Sequence, residues 1–78
     1  MPRYYFHLHE YEAVLDGEGV EFPNEEAARE YALDSARDVA CGLVRQGHIN
    51  LDHYVEVTDE TGRPVYRVTF RDAFTVEG

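Results

Sequence analysis

Residues 24–47 read NEEAAREYALDSARDVACGLVRQG, and this stretch decides the fold. Asn24 is a good helix N-cap, because its side-chain oxygen can accept from the free N–H groups of the first turn. Glu25 and Glu26 follow where the helix dipole favours negative charge. Gly47 is the expected stop, since glycine closes helices in the left-handed conformation at little steric cost. The spacing therefore predicts one helix from Glu25 to Gln46. At 100° per residue, Ala28, Ala32, Ala36, Val39, Ala40 and Leu43 share a stripe, and Glu30, Asp34, Arg37 and Asp38 lie opposite. A stripe made mostly of Ala lets the helix lie close against a sheet, so the sheet must supply the bulk.

The flanking segments supply it. Arg3 to His9 alternates, with Tyr4, Phe6 and Leu8 on one face and Arg3, Tyr5, His7 and His9 on the other. Glu10 to Gly19 reads as a loose connection ending in the turn-rich Asp16-Gly17-Glu18-Gly19. Val20-Glu21-Phe22 reads as a short second strand that Pro23 ends. Beyond the helix, Tyr54 to Asp59 alternates, with Val55 and Val57 inward. Asp59-Glu60-Thr61-Gly62 has the pattern of a hairpin turn. Pro64 opens the last strand, and Val65 to Phe70 places Tyr66, Val68 and Phe70 inward.

The expected fold is α+β: a single small domain of order β-β-α-β-β, with an antiparallel-rich four-stranded sheet and one long helix on one face. The domain is expected to fill residues 1–78, ordered over about 3–71, with a tail at 72–78 onto which Phe74 docks back. The expected inward set is Tyr4, Phe6, Leu8, Val20, Phe22, Val55, Val57, Tyr66, Val68 and Phe70. One helix cannot cover both faces. The other face would carry Arg3, Tyr5, His7, His9, Tyr54, Glu56, Val65, Arg67 and Thr69.

Composition narrows the function. The chain has 78 residues, 16 acidic and 7 basic, for a net charge of −9. Charging all four His would still leave −5. General nucleic-acid binding and anionic membranes are disfavoured, because both need cationic surface. With no Lys, phosphate-loop and Schiff-base chemistry are excluded. One Cys cannot form an internal disulfide. The longest apolar run, Val39 to Val44, is far too short for the roughly 20 residues of a membrane span. Met1-Pro2-Arg3 leads straight into a strand-like run, so no signal peptide is expected. A reducing cytoplasm is the expected setting.

The opening Met1-Pro2-Arg3-Tyr4-Tyr5-Phe6-His7 resembles a family of short bacterial proteins classed as a domain of unknown function. So do Asp16-Gly17-Glu18-Gly19 with Phe22-Pro23, Glu26-Ala27-Ala28-Arg29, and Val55-Glu56-Val57-Thr58-Asp59 with Gly62-Arg63. The resemblance covers nearly the whole chain and implies a small stand-alone domain. It implies no activity, cofactor or site residue. The family often has Asp where Asn24 stands and Phe where Tyr5 stands.

Candidate sites follow from residue type. His7 and His9 share a strand face with Cβ atoms roughly 6–7 Å apart, so a third ligand from a neighbouring strand would complete a metal site. The plain alternative is a solvated polar pair. The acidic residues of 10–21 do not match a calcium-loop pattern. Asp59 is explained by its turn. Ser35 and Cys41 stand mid-helix, with no base placed to activate either. The expected binding face is Arg3, Tyr5, His7, His9, Tyr54, Glu56 and Arg67, whose Tyr, His and Arg content suits protein interfaces. Base stacking on such a face is compatible locally but not with the global charge. The expected function is a non-enzymatic interaction domain, with no cofactor, binding a second copy or a partner protein through this face or an edge strand. A small metal-binding domain with ligands His7 and His9 is the alternative, as is an antitoxin-like regulatory module, which rests on fold analogy.

Overall fold

The computed structural model describes residues 1–75 and Glu77; Val76 and Gly78, part of the expected tail, lie outside the described residues. The elements are β1 (Arg3–His9), β2 (Ala13–Val14), β3 (Val20–Glu21), α1 (Glu25–Gln46), β4 (Tyr54–Thr58), β5 (Pro64–Thr69) and α2 (Phe70–Ala73). All pairings are antiparallel, and the order is β2-β1-β4-β5. β3 pairs with β1 beside Arg3 and Tyr4, whereas β2 pairs beside Leu8 and His9. The β1 edge away from β4 is thus lined by two short strands with residues 15–19 between them. β1 and β4 are central, and β5 ends the sheet on the other side.

α1 has the bounds the sequence predicts. Asn24 Oδ1 accepts from the Ala27 N–H at 2.9 Å. Gly47 adopts φ 92°, and its N–H bonds the Val44 carbonyl at 3.0 Å. Ala28, Ala32, Ala36 and Ala40 are buried, and they lie four apart, so one ridge of small side chains meets the sheet. Tyr4, Val55, Val57, Val68 and Phe70 complete the inner layer.

Four details depart from the sequence reading. The sheet has five strands, because Ala13–Val14 inside the expected connection pairs with Leu8 and His9. Val20 is not inward: it is 37% exposed, since a two-residue edge strand lies beyond the reach of α1. Phe6, Leu8, Phe22 and Tyr66 are half-buried. Phe70 is fully buried but opens a helix instead of ending a strand. Its N–H donates to the His53 carbonyl at 2.9 Å, and the Arg71 N–H donates to the Leu51 carbonyl at 2.9 Å. These bonds fold the chain back onto the 48–53 connection, where Ala73 is buried and Phe74 packs on the core.

Candidate functional site

The sheet face opposite α1 carries the expected residues, and the register fixes their neighbours. Tyr5 pairs with Thr58, His7 with Glu56 and His9 with Tyr54. Glu56 pairs with Arg67 and Tyr54 with Thr69. Opposed residues of an antiparallel pair share a face, so these side chains form one surface.

That surface divides in two. In the first half, the chain's own 16–21 segment takes up the polar groups. The Arg3 guanidinium donates to the Glu18 carbonyl at 2.8 Å and to Glu21 Oε1 at 2.8 Å. The Arg3 backbone N–H donates to Glu60 Oε1 at 2.8 Å. The Tyr5 ring lies against Gly19, where an added Cβ would stand 2.9 Å from Tyr5 Cε2 and 2.8 Å from the Tyr4 carbonyl oxygen. His7 Nδ1 accepts the Asp16 N–H at 3.0 Å, which leaves Nε2 to donate to Thr58 Oγ1, also at 3.0 Å. Both ring nitrogens of His7 are therefore engaged.

Asp16 is the hub of this half. Its Oδ2 accepts the Phe6 N–H at 3.2 Å, a strand donor left free in the gap between β2 and β3. Its Oδ1 accepts the N–H groups of Glu18 at 3.0 Å and Gly19 at 3.1 Å. Partial burial works to raise the Asp16 carboxyl, but the N–H donors of Glu18, Gly19 and Phe6 and the nearby His7 outweigh it. The net effect holds the carboxyl below its ordinary value.

The second half is a stack. The His9 and Tyr54 rings lie 4.6 Å apart and within 13° of parallel. Arg67 Cζ stands 3.9 Å from the Tyr54 ring centroid. Guanidinium over an aromatic face is attractive through the ring quadrupole. Glu56 Oε1 stands 3.7 Å from His9 Nε2, an enclosed atom with no hydrogen-bond partner among the described residues. Beyond the stack, the Tyr11 ring meets His53 edge-on at 4.6 Å, and its hydroxyl lies 3.4 Å from His48 Nε2.

Among the described residues no three His, Cys, Asp or Glu side chains gather as a metal-binding group. Asp59, at the turn before β5, accepts from the Thr61 hydroxyl, the Arg63 N–H and the Thr61 N–H, which together keep its carboxyl low against the opposing effect of desolvation. Cys41 is exposed on α1. Among the described residues no helix is long and apolar enough to cross a membrane.

The register places Tyr5, His7, His9, Tyr54, Glu56 and Arg67 on this face as expected, but Val65, expected there too, packs against the core, because the ladder is irregular where Thr58 meets Pro64 and Val57 meets Tyr66. Sequence reasoning also missed Asp16 and Thr58 as partners of His7. An Asp-Gly-Glu-Gly tetrapeptide signals a turn, and nothing in it says which strand donor the carboxylate will meet.

Fold and face together define a small α+β domain with one long helix on a sheet whose far face is only partly covered. The chain belongs to the family described as Domain of unknown function (DUF6894), whose pattern matches residues 3–71. No curated protein and no solved structure matches the chain.

Proposed function

We propose that the chain is a non-enzymatic interaction domain of a bacterial cytoplasmic protein, docking a partner protein on the sheet face opposite α1. The His9–Tyr54–Arg67 stack carries this reading. It presents a cation and aromatic edges on a rigid sheet, and Arg67 has no carboxylate within ion-pair distance among the described residues. Tyr and Arg are the residue types that dominate binding energy at protein interfaces, because each offers large contact area together with directed hydrogen bonds. The half made by Arg3, Tyr5 and His7 serves as the firm rim, its polar groups already satisfied within the chain.

Ser35 and Cys41 lie within the helix, which supports a binding role over nucleophilic catalysis. The test is photocrosslinking from a benzophenone side chain introduced at Thr69, which neighbours Tyr54 on this face. A single protein adduct that disappears in the Arg67→Ala background supports the reading. An adduct pattern identical to that of a probe at Glu30, on the far side of α1, overturns it.

A further inference from the structure

The two edges of the sheet carry opposite charge. Residues 10–21, which form β2, β3 and their connection, hold Glu10, Glu12, Asp16, Glu18 and Glu21 and no basic residue. Residues 61–71, which hold β5, carry Arg63, Arg67 and Arg71 and no acidic residue. The strand order places these segments at opposite ends of the sheet. In a chain of net charge −9, the last strand is therefore a local basic edge.

Arg67 has no acidic partner within 4 Å among the described residues, and neither Glu10, Glu12 nor Glu18 has a basic one. Arg63 and Arg71 form pairs with Glu25, Asp59 and Asp52 through arginine side chains at least 60% exposed. Surface pairs of that kind hold weakly and exchange partners readily.

The acidic edge also displays apolar bulk. Tyr11 is 76% exposed, Val14 60% and Leu15 70%. Small monomeric proteins seldom leave such side chains together unless something covers them. The basic edge offers the complement. β5 pairs only with β4, and among the described residues the backbone of 65–68 makes no hydrogen bond outside that ladder. Proteins usually blunt a free edge by shortness, Pro or charge. The β2–β3 edge is short. β5 has six residues, with Pro64 only at its start.

We propose that copies of this chain associate head to tail, the free edge of β5 on one copy meeting the acidic, apolar-studded β2–β3 edge of the next. The contact uses two different surfaces, so it is heterologous and does not close at a dimer. The proposal goes beyond the face reading and shares only Arg67 with it.

The experiment is solution mass by light scattering over a concentration series, with circular dichroism confirming each variant's fold. The wild-type mass is expected to climb past that of a dimer. Leu15→Arg and Arg67→Glu are each expected to remain monomeric, since each lacks one working edge. Their equimolar mixture is expected to form a one-to-one dimer and nothing larger, because each variant still supplies the edge the other lacks. Glu12→Arg replaces Leu15→Arg if the latter does not fold. A wild-type chain still monomeric near about 1 mM overturns the proposal, because any contact would then be weaker than that. So does a mass that stops at a dimer, or a mixture that stays monomeric. Glu56→Gln, on the central strand β4, changes the face but neither edge and is expected to leave assembly unchanged. Lost assembly in that variant would move the contact to the face, ending the edge proposal and sparing the face reading.

Discussion

The backbone N–H of Asp16 donates to Nδ1 of His7 at 3.0 Å. This bond fixes the imidazole in its Nε2–H form, with that proton directed to Thr58 Oγ1. A ring that sequence alone offers as a metal ligand is thereby a bridge between the 15–19 connection and β4.

The tautomer can be read directly. Nitrogen-15 shifts of the His7 ring at neutral pH are expected to show a protonated Nε2 and a bare, hydrogen-bonded Nδ1. His7→Phe keeps the ring's bulk but removes both bonds, and is expected to cost about 1–3 kcal/mol by urea unfolding, the penalty for stranding partly buried polar partners.

The Asp16 carboxyl sits below its ordinary value of 3.8 in the folded chain. A depressed carboxyl contributes stability that is fully present above the unfolded-state value and is lost as pH falls through the lower folded-state value. Unfolding free energy measured from pH 6 down to pH 2 is expected to fall below about pH 4. In Asp16→Asn the part of that slope due to this group is expected to vanish, and stability at pH 6 is expected to drop by about 1–3 kcal/mol.

Gly19 adopts φ 70°, and a Cβ there would meet the Tyr4 carbonyl oxygen at 2.8 Å. Backbone oxygen cannot swing aside as a side-chain end can. Gly19→Ala is expected to destabilise by more than the roughly 1 kcal/mol of positive φ alone, and amide exchange is expected to rise first at Phe6, whose N–H depends on Asp16.

Ala36 is fully buried on the ridge between α1 and the sheet. Ala36→Leu is expected to cost about 1–3 kcal/mol through overpacking. Leucine at Arg37, which is exposed, is expected to cost less despite losing the bond to the Ala73 carbonyl.

Zinc titrated into the protein by calorimetry is expected to show no binding tighter than about millimolar. Binding at His7 would have to break one of its two hydrogen bonds.

Much of this architecture is legible in one dimension. Asn24, the Ala ridge and Gly47 mark a helix because capping and the 3.6-residue period are local effects. The alternation in 3–9 and 54–58 marks β1 and β4 for the same reason. Phe70 shows where period alone misleads. It is apolar and falls in phase with Tyr66 and Val68, yet Thr69 caps a turn of helix there, its Oγ1 accepting the Asp72 N–H at 3.2 Å. The Thr-x-x-Asp pattern was present at 69–72 and is a helix-start signal. The candidate face was equally legible, since alternation assigns faces. Its division into a self-satisfied half and a stacked half was not.

The sequence by itself determined the helix and its ends, the two central strands, the inward and outward residues of each, and the acidic balance of the chain. Tertiary structure alone decided that β1 lies beside β4, that Asp16 reaches a strand N–H and a histidine ring, that His9, Tyr54 and Arg67 stack, and that acidic and basic segments fall on opposite edges. The physical reason is range. Caps, turns and periodicity are set by neighbours a few residues apart, whereas tertiary contacts here join residues as distant as 57 positions. Which partners meet then depends on how the whole chain buries its apolar faces.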